Sequence, residues 1–181
     1  MNTAALQSRQ QASVLAACAY IAAHCEERVT LAALGQRVNL SPFHLQRLFK
    51  EVVGVSPREY QEAQRIARFK LHVGNGRSVT EAMLDAGFGS SSRLYEKSAQ
   101  FGMTPARYRN KGAGVEIAFT TFRCALGAVL VAATTRGVCA VSLGARASEL
   151  VAALRAEFSA AELTRNDRGM RVVEAVAVSQ R

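Results

Sequence analysis

Apolar positions recur at three- and four-residue steps through the first 108 residues of this chain and in short unbroken runs after them, so helices come first and strands follow. Across residues 8–27, Val14, Leu15, Cys18, Ile21, Ala22 and Cys25 mark the inner stripe of one helix. Thr30 can cap a short helix over LAALGQRV, with Leu31, Leu34 and Val38 inward. Gly35 within it is unfavourable by about 1 kcal/mol relative to Ala, which a close helix crossing would explain. Asn39-Leu40 makes a turn. Ser41-Pro42 then supplies a cap and a first-turn proline for PFHLQRLFKEVV, whose buried stripe is Leu45, Leu48, Phe49 and Val52. Gly54 stops that helix, and Ser56-Pro57 opens a longer one to Val73. Its stripe is Tyr60, Ala63, Ala67 and Leu71, widened by Ile66, Phe69 and Val73, with Arg65, Arg68 and His72 as a basic face.

The pattern then repeats. Ser78 and Glu81 can close a capping box before Val79, Ala82, Met83 and Ala86. Gly87 suits a left-handed stop, and Phe88 can fold back on the helix just ended. Ser90 to Ser92 offers a new cap for a short helix from Arg93 to Phe101. Gly102 ends it, and Thr104-Pro105 opens another. Residues 31–60 and 79–108 match at a constant offset of 48, down to a shared tail of Gly, Ser or Thr, Pro and Tyr. One departure is visible: Leu94 falls one position later than Leu45 predicts. Either the second recognition helix or the turn before it has a different local register. Helix, tight turn, short helix is the helix-turn-helix pattern, whose second helix enters the DNA major groove.

After Tyr108 the period changes. Residues 110–114, NKGAG, read as a linker. Val115–Phe122, Gly127–Thr134 and Gly137–Leu143 read as three antiparallel strands, Ser148–Phe158 as a helix, and Met170–Val178 as a further helix. The expected fold is mainly α: a tandem helix-turn-helix of about seven helices, then a small α+β unit with an antiparallel sheet of about three strands. The corresponding domains are 8–110, a linker at 111–114, and 115–181.

Charge sharpens this picture. The formal net charge is +9 over 181 residues. Residues 1–112 hold 15 Lys and Arg against 8 Asp and Glu, whereas 113–181 hold 8 against 6. A basic helical module suits a polyanion, because each neutralised phosphate releases counterions. The longest apolar run, Val14–Ala23, is too short for the roughly 20 residues a membrane span needs. The amino-terminal residues show no signal pattern, so the cytoplasm, at the bacterial nucleoid, is the expected location. Cys18, Cys25, Cys124 and Cys139 have no metal-ligand spacing and read as reduced core thiols. No metal or other cofactor is expected.

The first turns of the two recognition helices carry the candidate chemistry. In the first, Phe43, His44, Gln46, Arg47 and Lys50 can reach base edges or phosphates. Arg47 could pair with guanine, Gln46 suits adenine, and Phe43 could pack on a thymine methyl or belong to the core. In the second, Ser91, Ser92, Arg93 and Lys97 take those roles, with Arg65 and Arg68 as candidates for the DNA backbone.

The motifs SPFHLQRLFKEVVGVSP and AGF, SSS and GMTPARYR resemble the AraC family of transcription regulators across residues 8–110. The later stretch IAFTTFRCALGAVLVAATTRGVCAVSLG, followed by a helix and EFSAAEL, is similar to the small ribonuclease-H-like N-terminal subdomain of O6-alkylguanine-DNA alkyltransferases. An AraC-type module joined to that subdomain is the arrangement of the Ada family, regulators of the response to DNA alkylation that also repair by methyl transfer. The resemblance implies a sequence-specific DNA-binding transcription regulator, most simply an activator, with double-stranded DNA as partner. It adds RNA polymerase and a separate catalytic methyltransferase half as further partners, and no membrane. Two parts of that family are not in this sequence: the four-cysteine zinc domain and the Pro-Cys-His-Arg acceptor motif. A nucleophilic cysteine needs a lowered pKa from a neighbouring base or helix N-terminus, and Cys124 and Cys139, in mid-strand, have neither. The catalytic set is therefore expected to be empty. The alternative reading is a part of a repair protein, inactive in methyl transfer unless a separate half completes it.

Overall fold

A computed structural model describes residues 3–97, 101–124 and 127–167. The chain divides into two compact units: residues 1–71 with 82–89, and residues 72–81 with 90–181. The expected helix over 170–178 lies outside the described residues.

In the first unit α1 spans Thr3–Ala23, α2 Leu31–Arg37 and α3 Pro42–Val53. A longer helix, α4, spans Pro57–Gly74. Val14, Ala17 and Ile21 of α1 meet Leu34 of α2 and Leu45, Leu48 and Phe49 of α3 in one core. Tyr60 packs against it, its ring edge-on to Phe49 at 5.6 Å. Leu15 and Ala22 are exposed, so the α1 stripe runs through Ala17 instead. Val52 is likewise exposed. On α4 the buried line is Ile66, Phe69 and Val73, while Ala63, Ala67 and Leu71 face solvent. Two stripes 100° apart satisfy the same spacing rule, and the larger side chains took the core because they remove more apolar area from water.

Caps fix the ends of these helices. Ala33 N–H donates to Thr30 Oγ1 at 3.2 Å, and His44 N–H to Ser41 Oγ at 3.3 Å. At α4, Ser56 and Glu59 form a capping box, with the Ser56 N–H at 2.8 Å from Glu59 Oε2 and the Glu59 N–H at 3.3 Å from Ser56 Oγ. Gly35 is explained by the turn rather than by a helix crossing. A Cβ there would lie 2.6 Å from the Leu40 carbonyl oxygen, which folds back over α2.

The helix α5, Val79–Asp85, opens on the expected box: Glu81 Oε2 accepts from Ser78 N–H at 3.1 Å and from its hydroxyl at 2.8 Å. In the second unit α6 spans Ser91–Glu96 and α7 Pro105–Arg109. Both begin on the caps read from sequence, Ser90 and Thr104. The described residues thus hold seven helices before the first strand. Residues 110–114 form consecutive turns rather than a loose linker. Gly112 N–H donates to Arg107 O at 2.8 Å, and Ala160 N–H reaches Lys111 O at 3.1 Å.

The sheet contains β1 (Glu116–Cys124), β2 (Gly127–Thr134), β3 (Gly137–Gly144) and β4 (Glu162–Arg165), in the order β3-β2-β1-β4. The three expected strands are antiparallel neighbours, with Thr120 opposite Val131 and Val131 opposite Val141. A fourth strand adds to them, parallel to β1 and paired Glu116 to Glu162 through Phe119 to Arg165. Its four residues, ELTR, have too little apolar periodicity to be read as a strand. A bulge at Ala132/Ala133 leaves Cys139 as the extra residue of β3, and that thiol is buried. Helix α8, Ala147–Glu157, packs on β2 and β3 and buries Leu150 and Leu154, with Phe158 just beyond its end. Tyr108 of α7 donates its hydroxyl to Glu157 Oε1 at 2.6 Å and meets the Phe158 ring edge-on at 5.7 Å.

Candidate nucleic-acid interface

The first recognition helix, α3, is 12 residues and about 18 Å long. Pro42 at its first position has no N–H to leave unpaired, and the helix ends at Gly54 with φ 86°. Leu45, Leu48 and Phe49 bury one side completely or nearly so. Opposite them Phe43, Gln46, Arg47 and Lys50 are exposed, and His44 is half-buried at the margin. Their spacing of three and four residues sets the exposed four along one strip. Phe43 is 80% exposed, which removes it from the core and leaves a large apolar ring in water beside Arg47 and Lys50. A strip combining an open ring, an amide and two cations can meet thymine methyls, base edges and phosphates.

The second helix obeys the same local rules with one shift. Asn39 and Gly87 hold the left-handed position of the two turns, with φ 55° and 79°. Leu40 N–H closes its turn on Gly35 O at 2.9 Å, and Phe88 N–H on Met83 O at 3.0 Å. To this point the copies differ by 48 in number. The caps, Ser41 and Ser90, differ by 49. Gly89 is the additional residue, so the shift of Leu94 arises in the turn and the start of the helix is unaltered. Met83 stands where Gly35 does in the first copy. In the first copy a Cβ at that place would lie 2.6 Å from the Leu40 carbonyl oxygen, and the second turn, which carries a side chain there, is longer by one residue. Counted from the caps, Leu94 matches Leu45, and both are fully buried. Ser91, Ser92 and Arg93 are exposed, while Lys97 is half-buried at the C-cap of α6, at the place Leu48 occupies in α3. Arg93 therefore matches His44 rather than Arg47.

Arg65 and Arg68, the candidates for the DNA backbone, both make hydrogen bonds inside the first unit. Arg65 Nε donates to Cys25 O at 2.5 Å and its Nη2 to Glu27 O at 2.8 Å. Arg68 Nη1 pairs with Glu26 Oε2 at 2.5 Å. Gln61 Nε2 reaches the same two carbonyls as Arg65, at 3.2 and 2.7 Å. Helix α1 ends at Ala23, and the turn that follows it carries the Cys25 and Glu27 carbonyls. Arg65 and Gln61 of α4 supply donors to the Cys25 and Glu27 carbonyls in that turn, and Arg68 adds the ion pair with the Glu26 carboxylate. No sequence signal marks this clamp, because its two sides are 34 to 43 residues apart. His72 does not offer itself to phosphate either: its Nε2 is buried and has no hydrogen-bond partner among the described residues.

Comparison with known proteins agrees with this geometry. Residues 34–111 match the family model described as a helix-turn-helix domain. The bifunctional transcriptional activator/DNA repair enzyme Ada of Escherichia coli is 41% identical over 138 residues, 76% of this chain and 39% of that protein. The regulatory protein ada of Salmonella typhimurium is 36% identical over 161 residues, 88% of this chain and 45% of that protein. The chain thus spans less than half the length of these curated relatives. Among solved structures, the C-terminal domain of AraT, a response regulator from Geobacillus stearothermophilus, shares the fold with a TM-score of 0.51 at 22% identity, over 54% of this chain and 84% of that one. Among the described residues, no helix is long and apolar enough to cross a membrane. With its caps, turns and buried positions repeated twice, and with Ada homology over most of its length, the chain carries an AraC-type helix-turn-helix domain and is a homologue of the Ada proteins.

Proposed function

We propose that this chain is a sequence-specific DNA-binding transcription regulator of the Ada type, an activator linked to the response to DNA alkylation, acting at the bacterial nucleoid. The observation that carries this is the exposed strip of α3, where Phe43, Gln46, Arg47 and Lys50 project from a helix whose other side is locked into the core. In this reading α3 and α6 each enter a major groove. Arg47 reads guanine, Gln46 reads a neighbouring base, Phe43 packs on a thymine methyl, and Lys50 meets phosphate, with His44 at the edge. Ser91, Ser92 and Arg93 serve the second groove, with Lys97 beside the backbone. Residues 8–110 are the DNA-binding domain and 115–181 a methyltransferase N-terminal-like subdomain, joined at 111–114. RNA polymerase is the partner that activation requires.

Selection of preferred sites from random duplexes at physiological salt tests this. A site spanning two adjacent major grooves is the expected result, and binding without sequence preference would overturn it. Replacing Arg47 with Ala should cost about 1–3 kcal/mol at one base pair. Replacing Lys50 should weaken all sequences alike and flatten the salt dependence.

The α+β unit favours a second reading, in which the chain is part of a repair protein that moves methyl from O6-methylguanine to a cysteine. The buried thiol of Cys139 and the lack of a Pro-Cys-His-Arg motif in the sequence argue that the acceptor lies outside these 181 residues. Methyl transfer from an alkylated oligonucleotide to this chain alone would refute that assignment. Co-purification with a short protein carrying the motif would support it.

A further inference from the structure

We infer that the second recognition helix reads DNA with Tyr95 and Glu96, and that Glu96 selects cytosine in the half-site α6 occupies. This rests on the DNA-binding reading above and names the residues that give its second half a different preference from its first.

The argument begins with register. Both recognition helices start on a serine cap that accepts from the N–H three residues on, His44 in α3 and Arg93 in α6. Both bury a leucine completely at the fourth residue after the cap. Cap and buried leucine together fix the rotation of each helix about its axis. The residues five and six after the cap are then equivalent: Tyr95 stands for Gln46, and Glu96 for Arg47. Aligning the two copies at the constant offset of 48 instead gives Arg47 the partner Tyr95 and hides Glu96 behind it. The additional turn residue, Gly89, causes that error.

Exposure supports the assignment. Tyr95 is 45% exposed, unusual for an aromatic on a short helix whose leucine neighbour is fully buried. Glu96 is exposed, and the ion pairs of the described residues do not include it. Ser92, Tyr95 and Glu96 lie at three- and four-residue spacing, so they share one strip.

Chemistry narrows what this strip can read. A carboxylate is repelled by phosphate and by the acceptors that guanine shows in the major groove, O6 and N7. It is satisfied by an exocyclic amino donor, and accepting from cytosine N4 is the pairing its geometry suits. Arg47, with a guanidinium at the same place in α3, selects the opposite pattern. The two helices therefore ask for unlike half-sites. Tyr95 beside Glu96 offers an open ring edge, and it flanks the contact.

The test is site selection from random duplexes at physiological salt with the full chain, its Glu96→Gln and Glu96→Ala forms, Glu116→Gln as a control that removes an exposed carboxylate elsewhere, and Arg47→Ala to mark the first half-site. The unaltered chain is expected to select cytosine at one position outside the half marked by Arg47. Both Glu96 forms should relax that position alone, by about 5- to 150-fold in relative affinity, the range of one well-made base contact. The Glu116 form should keep it. A preferred site that is unchanged in the Glu96 forms, or one whose cytosine is lost in the Glu116 form, overturns this inference and leaves the DNA-binding reading standing. Absence of any preferred site in the unaltered chain overturns both.

Discussion

Replacing Gly87 with Ala, measured beside the same change at Gly54, tests whether the α5 turn is pressed against the end of α1. Both glycines have positive φ, 79° and 86°. An L side chain in that region costs about 1–2 kcal/mol, partly offset because Ala also restricts the unfolded chain by about 0.4–1 kcal/mol. At Gly54 nothing lies within 4 Å of the added Cβ, so about 1 kcal/mol is the whole expected effect. At Gly87 the Cβ would stand 2.4 Å from the Glu26 carbonyl oxygen and 2.5 Å from its Cα. These are backbone atoms, and Arg65 and Gln61 hold the carbonyls on either side of them. Something must move by close to 1 Å, which adds about 1–3 kcal/mol on the scale of overpacked cores. Urea unfolding followed by far-ultraviolet circular dichroism reads the difference. With a slope near 1–3 kcal/mol per molar, a further 2 kcal/mol lowers the midpoint by about 1 M. Equal midpoints for the two variants would refute the close approach.

Three further outcomes follow from the same contacts. Arg65→Ala and Gln61→Ala should each cost about 1 kcal/mol, because either residue alone still serves the Cys25 carbonyl, while the double variant leaves that part-buried acceptor orphaned and should exceed the sum by about 1 kcal/mol; a strictly additive urea cycle would contradict the clamp. Burial, reinforced by the contact with Glu157, pushes the Tyr108 phenol well above its ordinary range. A raised folded value means the stabilisation is present below about pH 10 and is lost as pH rises beyond it, so Tyr108→Phe should lose part of the alkaline decline in stability that the unaltered chain shows. Hydrogen bonds from Ser56 and Ser78 hold the Glu59 and Glu81 carboxyls below the usual carboxylate range. A lowered folded value gives stabilisation that is present above about pH 4.3 and disappears as pH falls through the lowered value, so Glu59→Gln and Glu81→Gln should flatten that window in an acid titration of helix content.

Local rules made much of this protein legible before any coordinates. Caps at Thr30, Ser41, Ser90 and Thr104, stops at Gly54 and Gly87, and three of the four strands follow from neighbours a few residues apart, and those interactions act whatever the rest of the chain does. The repeat was visible for the same reason, as was the strip of α3, since one apolar stripe defines the polar strip behind it. Only the tertiary structure could decide among choices that local rules leave equal. It put Ile66, Phe69 and Val73 inward on α4 where Ala63, Ala67 and Leu71 fit the period as well. It gave Arg65 the carbonyls of the turn after α1, and Arg68 the Glu26 carboxylate, some 40 residues earlier. It placed the additional residue of the second copy in the turn, at Gly89, where a bare alignment could not choose between turn and helix. It also paired ELTR with β1, because an edge strand takes its place from a neighbour's unpaired backbone groups and not from its own side chains.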